Sequence, residues 1–286
     1  MQTNILRSTF GVQSWSILSD IELSIKNKVE TVGVPIKDWN VEIYRGVLTG
    51  YNDAFIISSE KRNEILSNCA NEDERKRTAE LIRPILRGRD IRRYSYDWPN
   101  LWLINTHNGI RGKIDRIHVD DYPAIKQHLD NYWNKILPRA DQGDTAYNLR
   151  NCAYLDEFSK PKIIWKRVGS IVRFAYDDKG LFGLDSTCFA TGKHMSYLCR
   201  LLNSSMGHYL LNSAPRTGTG DLLISVQAVE PIKVPLIDDY DIRFDEFVKQ
   251  AVASPTNTLI EEIDNIIFDL YGLSEGEREY IIKNYR

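Results

Sequence analysis

The chain has 286 residues, 42% of them hydrophobic and 10% aromatic, at a formal net charge of −2, which is enough apolar material for one large or two modest cored domains of a globular protein. No run of 18 apolar residues could span a bilayer, and the opening MQTNILRSTF lacks the charged-then-apolar layout of a signal peptide, so no membrane contact and a cytoplasmic address are expected. Cys69, Cys152, Cys188 and Cys199 are too widely spaced for a zinc knuckle and read as buried free thiols, and the five histidines show neither metal nor triad spacing.

In chain order, WSILSDIELSIKNKVETVG places Ile17, Ile21, Ile25 and Val29 at helical spacing before Gly33 and Pro35, a lead-in helix. VEIYRGVLTGYNDAFIIS predicts a β-hairpin with Thr49-Gly50-Tyr51-Asn52 at its tip. In it Gly50 permits a positive φ, and Ala54, Phe55, Ile56 and Ile57 fill a core. NEILSNCANEDERKRTAELI is charged and helix-prone, and LWLINT and KPKIIWKR are short β runs. IVRFAYDDKG follows the second of these as its hairpin partner.

YPAIKQHLDNYWNKIL lines Ile125, Leu129, Trp133 and Ile136 along one helical face that Pro138 ends. MSYLCRLLNSSMGHYLLNSAP is a further amphipathic helix, RTGTGD a loop, and VEPIKVPLI a Pro-punctuated edge or connector. In the acidic tail, Ile260, Ile263, Ile267 and Leu270 form one stripe, Gly272 ends that helix, and Ser274 with Glu277 forms a capping box for the last one.

Charge is unevenly distributed. Residues 83–179 hold 18 basic and 12 acidic groups, whereas 1–82 hold 10 and 12, and 243–286 hold 5 and 9. RPILRGRDIRRY carries Arg83, Arg87, Arg89, Arg92 and Arg93 without a lysine, and a guanidinium can fork onto a phosphate or onto the O6/N7 edge of guanine. The same arginines could instead pair with Asp90 and Asp97. KPKIIWKR would bury Ile163 and Trp165 on one face and present Lys162 and Lys166, with Arg173 beyond, either to phosphate or simply to solvent.

Several catalytic classes lack their residues. No proline follows Asn or Asp, so the Asn-Pro step of an amino-methyltransferase site is absent, and no Gly-Lys-Ser/Thr loop cradles a nucleotide. Asp156 or Glu157 with Asp177 and Lys179 loosely fits a magnesium-dependent nuclease, although Asp177-Asp178-Lys179-Gly180 has the composition of a turn.

Seven blocks occur in one order: YRGVLTGYNDAFII, LIRPILRGRDIRRY, WLINTHNG, YPAIKQHLDNYWNKILPRADQGDTAYNLR, KPKIIWKR, LLNSSMGHYLL and EEIDNIIFDLYGLSEGE. Together they resemble the TaqI-like C-terminal specificity domain over roughly residues 15–280. Such domains end single-chain type IIG restriction-modification enzymes and related adenine-N6 methyltransferases. The resemblance implies an α+β fold, with a β-rich target-recognition core, flanking helices and a C-terminal helical tail. It divides the chain into a lead-in helix and linker (1–40), a DNA target recognition domain (41–238) and a tail (239–286).

The implied function is sequence-specific reading of double-stranded DNA for a methyltransferase domain upstream of residue 1 in the same polypeptide, often alongside a nuclease. Met1 would then be an expression start. S-adenosylmethionine and magnesium belong to those catalytic parts, and no cofactor or catalytic residue is expected within these 286 residues. Arg87, Arg89, Arg92, Lys166 and Arg167 are expected on the DNA face, joined by Arg216, Thr217 and Thr219 of RTGTGD, which could equally be a plain connector. Asn105, Thr106, His107 and Asn108 are candidate base readers, and Thr49 or Asn52 a further contact. The competing readings are a protein-interaction module and the magnesium nuclease.

Overall fold

The computed structural model describes residues 18–236 and 256–285. Helix α1 (Asp20–Val32) starts where Ser19 accepts the Glu22 amide and the Glu22 carboxylate accepts the Ser19 amide at 2.8 Å, a capping box that satisfies two end donors. It buries Ile25 and Val29; Ile17 lies outside the described residues.

The centre is an antiparallel sheet in the order β2 (Val41–Arg45), β10 (Thr187–Gly192), β6 (Lys162–Lys166) and β8 (Phe174–Asp177). A second sheet orders β3 (Ile56–Ser58), β5 (Leu101–Ile104), β4 (Ile82–Leu86) and β9 (Phe182–Gly183), with β9 parallel to β4. Two short pairs complete the strands: β1 (Gly33–Pro35) with β12 (Lys233–Pro235), and β7 (Val168–Gly169) with β11 (Leu222–Leu223). The fold is mixed α+β, as the resemblance implies.

Two apolar clusters lie on opposite faces of the central sheet. Ile163, Trp165 and Cys188 face one that includes α7 (Met195–Asn203), α8 (Ser205–Leu211) and the tail helices, while Ile164, Ala175 and Phe189 face the other. Strand β6 is therefore covered on both sides, and its burial does not alternate with water as the sequence predicted. Interior strands of covered sheets read as continuous apolar runs. Lys162 is the corrected residue: it is fully buried, and its Nζ lies 2.5 Å from the equally buried Asp177 carboxylate. The β6–β8 hairpin itself is present as predicted.

The hairpin expected over 41–58 does not form. After β2 the chain continues against β9, with the Gly46 amide on the Thr187 carbonyl at 3.0 Å and the Val47 amide on the Gly183 carbonyl at 2.6 Å. A Cβ at Gly46 would sit 2.0 Å from the Leu184 carbonyl oxygen, so only glycine permits this approach. The chain then turns at Gly50 (φ 70°) into α2 (Asn52–Phe55), and β3 joins the other sheet. Ala54, Phe55 and Ile57 are buried as expected.

Three predicted helices are each two. Asn71 caps α4 (Glu72–Leu81) apart from α3 (Ser59–Ser67), and Ser204 caps α8 through the Gly207 amide at 3.0 Å. Between α5 (Pro123–Asp130) and α6 (Trp133–Ile136) the chain turns at Asn131–Tyr132.

Helix α9 (Asn257–Leu270) ends at Gly272 (φ 62°) and precedes α10 (Glu275–Tyr285). Glu277 accepts from the Ser274 amide at 2.7 Å, and also from Ser24 and Lys28 of α1 at 2.7 and 2.6 Å. The first described helix and the last thus clasp each other. The expected boundary at 239 lies outside the described residues. The four cysteines are free, Cys188 and Cys199 buried but Cys69 and Cys152 only half-buried.

Candidate nucleic-acid interface

Three separate stretches of sequence form one basic surface. Gly88 lies directly against Lys166: a Cβ there would meet Lys166 Cγ at 2.7 Å and the Ser186 carbonyl oxygen at 2.9 Å, while the Gly88 amide donates to Ser186 Oγ at 3.0 Å. The Gly88 backbone is thus packed against the neighbouring basic strand. The Arg167 amide donates to the Ser186 carbonyl at 2.9 Å, and its own carbonyl accepts the Ile224 amide at 2.8 Å. Pairing of β7 with β11 then brings in the 216–222 turn, closed by the Thr217 amide on the Asp221 carbonyl at 2.8 Å.

Between these stretches lies a cleft of about 820 Å³ whose lining includes Arg92, Arg93, Arg173 and Arg216, with His208 and, among the described residues, a single carboxylate side chain, Asp97. Four arginines against one acid give this lining a net positive charge in a chain whose total charge is nearly balanced.

The arginines divide by their partners. Arg87 is gripped by both carboxylate oxygens of Asp90 at 3.0 and 2.9 Å and is three-quarters covered, so it shapes the turn rather than facing outward. Arg92 meets Asp97 at 2.8 Å and the Arg89 carbonyl at 2.8 Å. The acidic pairing left open by the sequence therefore holds for these two. Arg93 donates to the Asn203 carbonyl and lies over the Tyr94 ring. Arg216 is exposed and held in place by the Gly220 carbonyl and Asn212 Oδ1, while Thr217 and Thr219 share a hydrogen bond at 2.8 Å. Arg167 is half-buried, and its Nε has no partner. Among the described residues, Arg89, Lys166 and Arg173 are exposed and form no ion pair.

The remaining candidates gather elsewhere, around the 139–150 strap. Thr49 is 1% exposed and donates to Asn52 Oδ1 at 2.6 Å, so Asn52 alone of the two reaches the surface. Arg139, 7% exposed, donates to the carbonyls of Thr49, Ala146 and Asn148 and lies over Phe55; burial pulls its guanidinium down to about 10. Thr106 is buried and donates to the Tyr147 carbonyl at 2.6 Å. His107 Nδ1 accepts the Gly109 amide at 3.2 Å, and burial lowers its pKa. Asn108 bonds Asp144, and Asn105, 7% exposed, keeps an unpartnered Oδ1.

The acidic residues weighed for a nuclease are engaged otherwise. Asp177 accepts from Lys162, from the Tyr96 hydroxyl and Leu181 amide at 2.9 Å, and from the Lys179 amide at 3.1 Å, while Asp156 pairs with Lys113. Among the described residues no three His, Cys, Asp or Glu side chains gather to hold a metal ion.

Arg93 and Arg173, raised in the sequence as anion binders but not placed on the DNA face, line the cleft together with His208, which was not raised. Arg93 stands in the arginine run and Arg173 beside β8, so both carried a signal; nothing local marked His208.

Residues 83–220 match the family described as the TaqI-like C-terminal specificity domain, a span that takes in all four arginines of the cleft. Among solved structures, the type IIL restriction-modification enzyme MmeI in complex with DNA is similar at a TM-score of 0.58 and 10% identity, over 88% of this chain and 35% of that one. The type IIG restriction endonuclease BpuSI is similar at a TM-score of 0.47 and 13% identity, over 90% of this chain and 33% of that one. The MmeI likeness is one of fold, and this chain spans about a third of the length of either enzyme's chain. No curated protein matches.

Proposed function

We propose that this chain, whose residues 83–220 match the TaqI-like C-terminal specificity domain, is the DNA-recognition part of a restriction-modification enzyme and seats duplex DNA against the arginine cleft. The observation that carries this reading is the convergence of Arg92, Arg93, Arg173 and Arg216, with Arg89 and Lys166 beside them, from three segments distant in sequence. MmeI, whose fold the chain shares, is a restriction-modification enzyme solved with DNA, which supports it. Guanidinium and ammonium groups on phosphates set the register of the duplex, and side chains reaching base edges supply selectivity.

The parent polypeptide, in this reading, is of type IIG and cytoplasmic. An adjoining methyltransferase domain would use S-adenosylmethionine to methylate adenine N6, and a magnesium-dependent nuclease could accompany it. The chain's own residues bind and orient DNA for those parts. Fluorescence anisotropy with a labelled duplex tests the reading: binding at 50 mM salt that weakens steeply by 200 mM is expected, because phosphate contacts supply most of the affinity. No binding at the lower salt overturns it.

A further inference from the structure

We infer that Ile171 is a specificity-determining residue that contacts a thymine methyl in the DNA groove while the surrounding arginines hold phosphates; the inference rests on the DNA-binding reading above. Ile171 is 60% exposed, more than any other exposed large hydrophobic side chain among the described residues. A lone exposed isoleucine is ordinary on a protein surface, so its location carries the argument. It lines the cleft that Arg92, Arg93, Arg173 and Arg216 also line, and its aliphatic neighbours there, Val172 and Leu222, are buried, so Ile171 is the aliphatic side chain left to meet an occupant.

The loop that presents it is fixed on both sides. Gly169 pairs with Leu222 before it, and Val172 is buried behind it. The Phe174 amide then donates to Asn203 Oδ1 at 3.0 Å, while Arg93 is tied to the carbonyl of the same Asn203. The β-branched side chain adds its own stiffness at χ1. Ile171 is therefore held ready at the cleft rather than sampling many poses, as recognition groups require.

The chemistry selects the occupant. Four arginines against one acid give the cleft a net positive lining that favours a polyanion, but phosphates are the same at every base pair, so the cations grip without reading. An apolar side chain among them can discriminate through the C5-methyl of thymine, the one apolar group that base edges display in the major groove.

The test uses the full chain as wild type and as Ile171→Ala and Ile171→Ser, whose folding is checked by thermal unfolding. Each protein selects binders from a random duplex pool, and each thymine of the wild-type site is then replaced in turn by uracil, which lacks only the methyl. One uracil position is expected to weaken wild-type binding roughly tenfold while leaving both variants unaffected, with the salt dependence equal in all three. Identical selections and identical uracil effects in wild type and variants overturn the inference, as does a wild type that selects no sequence. If steep salt-dependent binding persists in those cases, only the role of Ile171 falls. If no duplex binds even at low salt, the DNA-binding reading falls with it.

Discussion

Replacing Asp177 by Asn tests how the basic hairpin is built. Lys162 and Asp177 are 0% exposed and 2.5 Å apart. Around them, Lys162 Nζ also donates to the Phe158 carbonyl at 2.6 Å, and Asp177 accepts three further donors, from Tyr96, Lys179 and Leu181. Burial lowers the lysine pKa, with the Asp177 charge opposing it. Asparagine keeps the shape and one acceptor but leaves an uncompensated ammonium inside the sheet, a change that costs roughly 3–5 kcal/mol. Against a total stability of about 5–15 kcal/mol that is a large fraction. Lys162→Met should cost less, about 2–3 kcal/mol, because the carboxylate keeps three donors. The double variant removes both charges and should lose less than the sum of the singles by at least about 1 kcal/mol. Urea unfolding of the four proteins measures this. Single variants within 1 kcal/mol of wild type, or strictly additive losses, would refute the reasoning, and a stable Asp177→Asn would reopen the nuclease reading.

Two further outcomes concern the helical clasp and the thiols. Burial raises the Glu277 carboxyl, but hydrogen bonds from Lys28, Ser24 and Ser274 outweigh it and hold the group at about 2, below its ordinary 4.5. A depressed carboxylate stabilises the fold above its unfolded pKa, and that contribution is lost as pH falls through its folded one. Glu277→Gln should therefore cost about 2 kcal/mol at pH 7, and the gap should close between about pH 4.5 and 2. A gap constant across that window in acid titrations of stability contradicts it. Burial pushes Cys188 and Cys199 up to about 11 and 12, so a thiol reagent should modify Cys69 first in native protein and leave those two untouched. Mass spectrometry showing early labelling of Cys199 would overturn that.

Local signals in the sequence were reliable where backbone chemistry decides. Glu277 accepts the Ser274 amide, and the glycines at 50 and 272 take the positive φ that their residue type allows. The alternation predicted for β6 failed because tertiary structure covers the face that a lone hairpin would leave wet, and it carried Lys162 inward with Asp177. The hairpin over 41–58 failed for a similar reason: after β2 the chain runs on against Leu184, an approach that only a glycine at 46 permits, instead of folding back at Gly50.

The arginine run was visible as a basic stretch. Which of its members face outward was not, since Asp90 covers Arg87 from three positions away while Arg173 and Arg216 arrive from loops about 80 and 120 residues further along the chain. The candidates at Thr49 and 105–108 share a polar composition with base readers, but the same groups serve to satisfy the strap around Arg139.

The most direct test of DNA recognition by the basic surface at and beside the cleft is the salt dependence of duplex binding by wild type and by the triple variant Arg89→Gln, Lys166→Gln, Arg173→Gln. Each phosphate contact contributes about 0.9 to the slope of log affinity against log salt. The three exposed cations form no ion pair among the described residues, so their neutralisation should lower that slope by up to about 2.7 with the unfolding midpoint unchanged. Equal slopes for the two proteins would contradict the placement of DNA on this surface.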